Sequence, residues 1–133
     1  MWPVICPASR YRMLQARLAE DPNQEHLAKL SGDQAEYWLD EAAMEEGSPN
    51  FAVSRGDALD LPAILYLQHP DDPIHPYENL ESFIAGYRAR GGAVDLHHFG
   101  GEAYDQIRAH PDSTEAKDAV AAIAAFVHAR SGA

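Results

Sequence analysis

The chain of 133 residues is long enough for one ordinary domain and too short for two well-formed ones. Its hydrophobic fraction of 46% supports a core, whereas its net charge of −11 argues against nucleic acid and anionic membranes as partners. The single cysteine, Cys6, excludes an intrachain disulfide. No apolar run reaches the roughly 18 residues that cross a bilayer, and the first residues lack the basic segment of a signal peptide, so we expect a cytoplasmic protein.

Helical patterns fill most of the first 60 residues. Apolar side chains recur at helical spacing, beginning with Tyr11, Leu14 and Leu18. Three helices are predicted, over residues 8–20, 23–30 and 33–46. Ser31-Gly32 is interpreted as the stop between the second and the third. Residues 51–61 show no regular period and are predicted to form a surface loop.

Residues 61–107 predict a βαβ unit, which is typical of a parallel sheet covered by helices. Strands are predicted over 62–68 and 93–99. The first strand contains the run AILYL, which is typical of a strand covered on both faces. The helix between them has an amphipathic pattern formed by Leu80, Phe83, Ile84 and Tyr87. These elements predict an α/β fold.

A final helix follows this unit. Asp112 and Glu115 are spaced as a capping box at its start. Farther along, Val120, Ile123 and Val127 form one apolar seam at helical spacing.

The number of predicted strands is small for a sheet. Two strands have to carry several helices, whereas typical sheets have about 4–6 strands. The chain therefore either pairs with the strand edge of a partner or is part of something larger. We expect a homo-oligomer, most simply a dimer, or a partner that supplies the missing half.

Two short segments suggest a family. His69-Pro70-Asp71-Asp72-Pro73 follows the first strand, and Phe99-Gly100-Gly101 follows the second. Together with the helix between them, they resemble the C-terminal third of an α/β-hydrolase of the esterase/lipase and dienelactone-hydrolase-like branch. The resemblance spans residues 61–130. It implies a partial α/β-hydrolase-like sheet of two to three strands with flanking helices. Residues 1–60 would be a helical cap-like segment and 61–133 a βαβα unit, within one compact domain.

The resemblance also assigns candidate site residues. By position, Asp72 corresponds to the acid of the catalytic triad, and Tyr104 stands where the family has its histidine. A tyrosine titrates near pH 10 and is a poor base at neutral pH. The nucleophile motif Gly-x-Ser-x-Gly occurs nowhere in the chain. The resemblance therefore implies a carboxylesterase-like protein, or a truncated fragment of one, without serine-hydrolase activity on its own and without a cofactor.

Two other functions stay open at this point. The chain is alternatively a non-catalytic module that self-associates through its strand edges. A third reading is an active hydrolase built around Asp72, His69 or His98 and completed by a partner chain. His69, Asp71 and His75 also have the short spacing of metal ligands, but three prolines interrupt them, and no metal site is predicted. His97 and His98 are adjacent on a strand and should point to opposite faces.

Overall fold

The structure, a computed structural model, describes residues 5–101 and 106–131. The described part has mixed α/β structure with one two-stranded parallel sheet, so the predicted α/β class is confirmed at this level. The elements follow in the order α1 (Pro7–Glu20), α2 (Glu25–Tyr37), α3 (Glu41–Glu46), α4 (Pro49–Arg55), β1 (Ile64–Gln68), α5 (Tyr77–Ala89), β2 (Val94–His98), α6 (Gln106–Ala109) and α7 (Thr114–Ser131).

The chain divides into two compact units. The first comprises residues 1–60 and 74–86, and the second comprises residues 61–73 and 87–133. Helix α5 contributes its first ten residues to the first unit and its last turn to the second. None of the helices in the described ranges is long and apolar enough to cross a membrane.

The first unit has a core made by apolar side chains of α1, α2 and the segment before α5. Leu14, Leu27 and Ile74 are buried at its centre. The partly buried side chains packed against them are Met13, Leu18 and Leu30. Burial of these groups is the dominant favourable term in the folding of this unit.

The predicted stop at Ser31-Gly32 is wrong, because α2 continues through both residues to Tyr37. Ser31 is buried and accepts a hydrogen bond of 2.6 Å from the side chain of Gln15 on α1. Three residues later, buried Gln34 accepts a bond of 3.1 Å from Arg10 of α1. Packing against α1 therefore outweighs the low helix propensity of Gly32.

The helix predicted over 33–46 is divided by a break. Residues 38–40 separate α2 from α3, and the side chain of Asp40 accepts a hydrogen bond of 2.8 Å from the backbone N–H of Ala43. Asp40 therefore caps a new helix, which is a common role for aspartate at this position.

The surface loop predicted over 51–61 is also wrong in its first half, since α4 extends from Pro49 to Arg55. Proline suits the first turn of a helix, and Gly56, with φ at +79°, ends α4 in the left-handed conformation that glycine favours. The Asn50 side chain of α4 donates a hydrogen bond of 3.0 Å to the Ser82 hydroxyl of α5.

The second unit is built on the pairing of β1 with β2. The strands are parallel and in register from Ile64 opposite Val94 to Gln68 opposite His98, within two residues of the predicted bounds. At one end, the Ile64 N–H donates to the Ala93 carbonyl at 2.9 Å. At the other, the Phe99 N–H donates to the Gln68 carbonyl at 3.1 Å.

In the part of the chain that the structure describes, β1 is only partly covered, in contrast to the expected cover on both faces. Residues 64–67 are all half-buried, and only Gln68 is fully buried. A sheet of two strands offers too little surface for complete layers on both sides, which accounts for this difference.

Helix α7 contacts β1, and the residues it buries are Ala116 and Ala119. The apolar seam on the neighbouring face stays exposed, with exposed fractions of 53% for Val120, 40% for Ile123 and 54% for Val127. The start of α7 also differs from the predicted capping box. The hydroxyl of Ser113, and not Asp112, accepts the Ala116 N–H at 3.1 Å.

A close contact joins the end of α5 to the start of β2. The Tyr87 hydroxyl donates a hydrogen bond of 2.6 Å to the Pro62 carbonyl, and its ring lies against Gly92. A Cβ atom on Gly92 would lie 2.2 Å from that ring. Gly92 is therefore required by packing.

We expect Gly92→Ala to lower the free energy of unfolding by about 2 kcal/mol, because the buried Tyr87 ring must move. Gly32→Ala is the matched control. It has open space around the added Cβ atom, and it should raise the stability by about 1 kcal/mol because alanine is the better helix former. Urea unfolding followed by circular dichroism measures both values. Changes of the same sign in the two variants would contradict this account.

Candidate functional site

The candidate residues lie at the carboxyl ends of β1 and β2. Ligands of open α/β sheets commonly bind at this edge. We call the turn of residues 69–73 and the loop of residues 99–101 together the strand-end site. Because the two strands are parallel and in register, the turn and the loop leave the sheet side by side.

His69 joins the two parts of the strand-end site. Its ring is buried, with 8% of the residue exposed. Atom Nε2 lies 3.0 Å from the Gly101 carbonyl oxygen, and Nδ1 lies 3.1 Å from the backbone nitrogen of Asp71. Since a backbone N–H can only donate, Nδ1 is the acceptor, and these partners assign the proton to Nε2. The ring also packs edge-on against Phe99, with 5.7 Å between centroids.

Both ring nitrogens of His69 are therefore used by the backbone. In this neutral form, Nε2 donates to the loop after β2 while Nδ1 accepts from the turn after β1. A general base needs a free ring nitrogen close to the proton that it removes. The arrangement makes His69 a link between turn and loop, and a poor base or metal ligand.

Asp72 closes the turn that follows β1. Its backbone N–H donates to the His69 carbonyl at 3.2 Å. Its carboxylate acts at a distance on Tyr66 of β1. The pKa of that phenol is raised above its ordinary value, first by burial and second by the negative charge of Asp72. Tyr66 is thus a residue that this acid influences, and sequence reasoning missed it.

The alternation of the first strand offered one sequence signal for Tyr66. Residues two apart on a strand share a face, so Tyr66 lies on the face of Gln68, the last residue before the turn. Gln68 is 5% exposed, and its Oε1 atom makes no hydrogen bond in the described part of the chain. A phenol, a buried amide and a carboxylate therefore accumulate where β1 ends.

The other predicted site residues are distributed differently. Tyr104, at the histidine position of the resemblance, lies outside the described residues. His97 is half-buried and His98 is exposed, as the alternation of a strand requires. Across the described ranges, no three His, Cys, Asp or Glu side chains are close enough together to hold a metal ion.

Comparisons of the chain with protein-family models, with curated proteins and with solved structures found no match.

We expect His69→Ala to destabilise the protein by about 2 kcal/mol, because two buried hydrogen bonds, each worth about 1 kcal/mol, are lost together. His98→Ala is the control, and it should change stability by less than about 0.5 kcal/mol because His98 is exposed. Urea unfolding at pH 7.5 measures the difference. Equal effects of the two substitutions would show that His69 does not hold the turn and the loop together.

The raised pKa of Tyr66 predicts how stability changes at alkaline pH. The folded protein holds the phenol proton more tightly than the unfolded chain, whose tyrosines titrate near pH 10. Stability should therefore be unaffected by this group below about pH 10 and should fall as the pH rises through the folded-state pKa. Burial raises the pKa of Tyr87 as well and adds a loss of the same sign.

Urea unfolding at a series of pH values from 9 to 11 tests this linkage. Tyr66→Phe should remove the Tyr66 part of the decline, and Asp72→Asn should reduce it by removing one of its two causes. Asp71→Asn alters the neighbouring acid and should leave the decline unchanged. A decline that is equally steep in all three variants would contradict the assignment.

Proposed function

We propose that this chain is an α/β-hydrolase-family protein or fragment, carboxylesterase-like in descent, that has no serine-hydrolase activity on its own. The observation that carries the proposal is the parallel pairing of β1 with β2. It supports the resemblance because the Asp72 turn follows one strand and the Gly100-Gly101 loop follows the next.

The requirements of acyl transfer explain why we propose a protein without serine-hydrolase activity. That reaction needs a hydroxyl, a histidine that removes its proton and an acid that orients the histidine. The motif Gly-x-Ser-x-Gly is missing from the chain, and a tyrosine stands at the histidine position. His69, the histidine next to the candidate acid, has both ring nitrogens committed to the backbone.

The hydroxyls of five of the seven serines also argue against a conventional nucleophile. Four donate to a backbone carbonyl three or four residues earlier: Ser48, Ser54, Ser82 and Ser131. The hydroxyl of a fifth, Ser113, accepts the Ala116 N–H of α7 as a cap. These are local bonds of helices and turns, and they do not activate oxygen for attack.

A second candidate function, a non-catalytic module that self-associates, is favoured by a separate observation. The apolar seam of α7 is exposed at Val120, Ile123 and Val127, and within the described residues the sheet has only two strands. Contiguous exposed apolar groups often mark an interaction surface. The third candidate, an active hydrolase completed by a partner chain around Asp72, His69 or His98, has less support because His69 is not free to act as a base.

A fluorophosphonate probe directly tests the proposed lack of serine-hydrolase activity. We expect the intact mass of the purified chain, 14.6 kDa, to remain unchanged after prolonged exposure, because no hydroxyl is activated. A serine esterase in the same reaction shows that the probe is reactive. A stoichiometric adduct that forms on the folded chain, and not on a chain unfolded before exposure, would contradict the proposal. Loss of that adduct in Asp72→Asn would then favour the active hydrolase.

A further inference from the structure

We infer that a second copy of this chain docks on the outer edge of β1, with the two β1 strands antiparallel across a two-fold axis. The two sheets then join into one sheet of four strands in the order β2-β1-β1-β2. This inference rests on the self-association candidate above, and it specifies the surface, the partner and the register.

Some backbone groups of β1 point away from β2. The bonds at its two ends fix the alternation of the parallel ladder, so that Ile64, Tyr66 and Gln68 exchange hydrogen bonds with β2. Leu65 and Leu67 therefore direct their N–H and C=O groups away from β2. Among the described residues, those groups have no hydrogen-bond partner. An edge of this kind is a template for another extended backbone.

The two edges of the sheet differ in how well they are protected. On the outer edge of β2, the Val94 carbonyl accepts a hydrogen bond of 2.6 Å from the guanidinium of Arg88. Beside it, Asp95 forms an ion pair of 2.9 Å with Arg130. Capping groups and charges of this kind block the addition of a strand. No charged residue occurs in β1, so its edge is the one that accepts a partner.

The distribution of charge favours a second copy at this place. Two copies of a chain with net charge −11 repel each other wherever acidic surfaces meet. Residues 61–69, however, contain no Asp, Glu, Lys or Arg, although charged residues make up 23% of the chain. Two β1 strands can therefore approach closely without placing like charges opposite each other.

The register follows from the two outward-facing residues. If Tyr66 lies opposite Tyr66 of the second copy, then Leu65 of each copy lies opposite Leu67 of the other. Both outward N–H groups and both outward C=O groups of each strand are then paired, giving four interchain hydrogen bonds. Tyr66 forms the non-hydrogen-bonded pair on the axis, where Cα atoms are about 4.5 Å apart.

The size of the contact sets the expected affinity. A standard stable interface buries about 800 Å² on each partner, and a strand of five residues supplies only part of that area. We therefore expect an equilibrium between monomer and dimer, with a dissociation constant on the order of micromolar. Light scattering between about 1 and 300 µM should show the mass rising towards twice 14.6 kDa.

Disulfide trapping tests the register in the full-length chain. Tyr66→Cys should give a covalent dimer on mild oxidation, because the two cysteines face each other at a Cα separation of about 4.5 Å, within the range of disulfides. Ile64→Cys is the matched control on the same face of β1. Its two copies would lie four residues apart along the strand, about 14 Å, and should stay unlinked. The native Cys6 is 1% exposed, and the wild-type chain controls for it.

A mixture of two other variants tests the same register even if Tyr66→Cys fails to fold. Ile64→Cys and Gln68→Cys lie opposite each other in the proposed register, so each should stay unlinked alone, and the mixture should form a heterodimer. Disulfides in the Tyr66→Cys dimer and in the mixed dimer of Ile64→Cys with Gln68→Cys, and in no other combination, would support the inference. Equal linking of all variants, no linking at concentrations where the wild type is dimeric, or a monomer at every concentration would overturn it. A fluorophosphonate adduct would instead contradict the proposed lack of serine-hydrolase activity, and it would not affect the test of the dimer.

Discussion

Two parallel strands share one ladder of backbone hydrogen bonds, and the second unit depends on that ladder. Because β1 and β2 run in the same direction and in register, their carboxyl ends lie side by side, and His69 reaches from the turn after β1 to the carbonyl of Gly101 after β2. The same alternation directs the backbone groups of Leu65 and Leu67 away from β2. The strand-end site and the open edge therefore follow from a single pairing.

The two strands, helix α5 and the bounds of α1 could be predicted from the sequence, whereas the bounds of α2, α3 and α4 could not. The spacing of Leu80, Phe83, Ile84 and Tyr87 indicates burial directly, and all four side chains are buried, whereas residues 64–67 of the run AILYL are only half-buried. The helix stop predicted at Ser31-Gly32 is wrong because hydrogen bonds of buried Ser31 and Gln34 to α1 stabilise α2 at this point. Local signals for the break at Asp40 and for the helix that ends at Gly56 were present in the sequence, but the apolar period over 33–46 looked continuous, and residues 51–61 showed no regular period at all.

The candidate site was predictable only in part. The acidic turn with Asp72 is visible as a motif. The roles of His69 and Tyr66 depend on geometry, because His69 bonds a residue 32 positions away and Tyr66 responds to a charge across the turn. This geometry also changes the functional argument. A histidine beside an acid suggests catalysis in a sequence, but bonds from both ring nitrogens to the backbone make this one a structural link. The family assignment accordingly remains a proposal that rests on order and topology.

Amide hydrogen exchange of β1, followed residue by residue by NMR, tests the central claim that a second copy completes the sheet. At low micromolar concentration, the amides of Tyr66 and Gln68 should exchange slowly because they bond β2, while those of Leu65 and Leu67 should exchange quickly. At several hundred micromolar, Leu65 and Leu67 should become protected as well. Protection of Leu65 and Leu67 at every concentration would mean that the chain covers its own edge. Fast exchange at every concentration would mean that no second copy binds there.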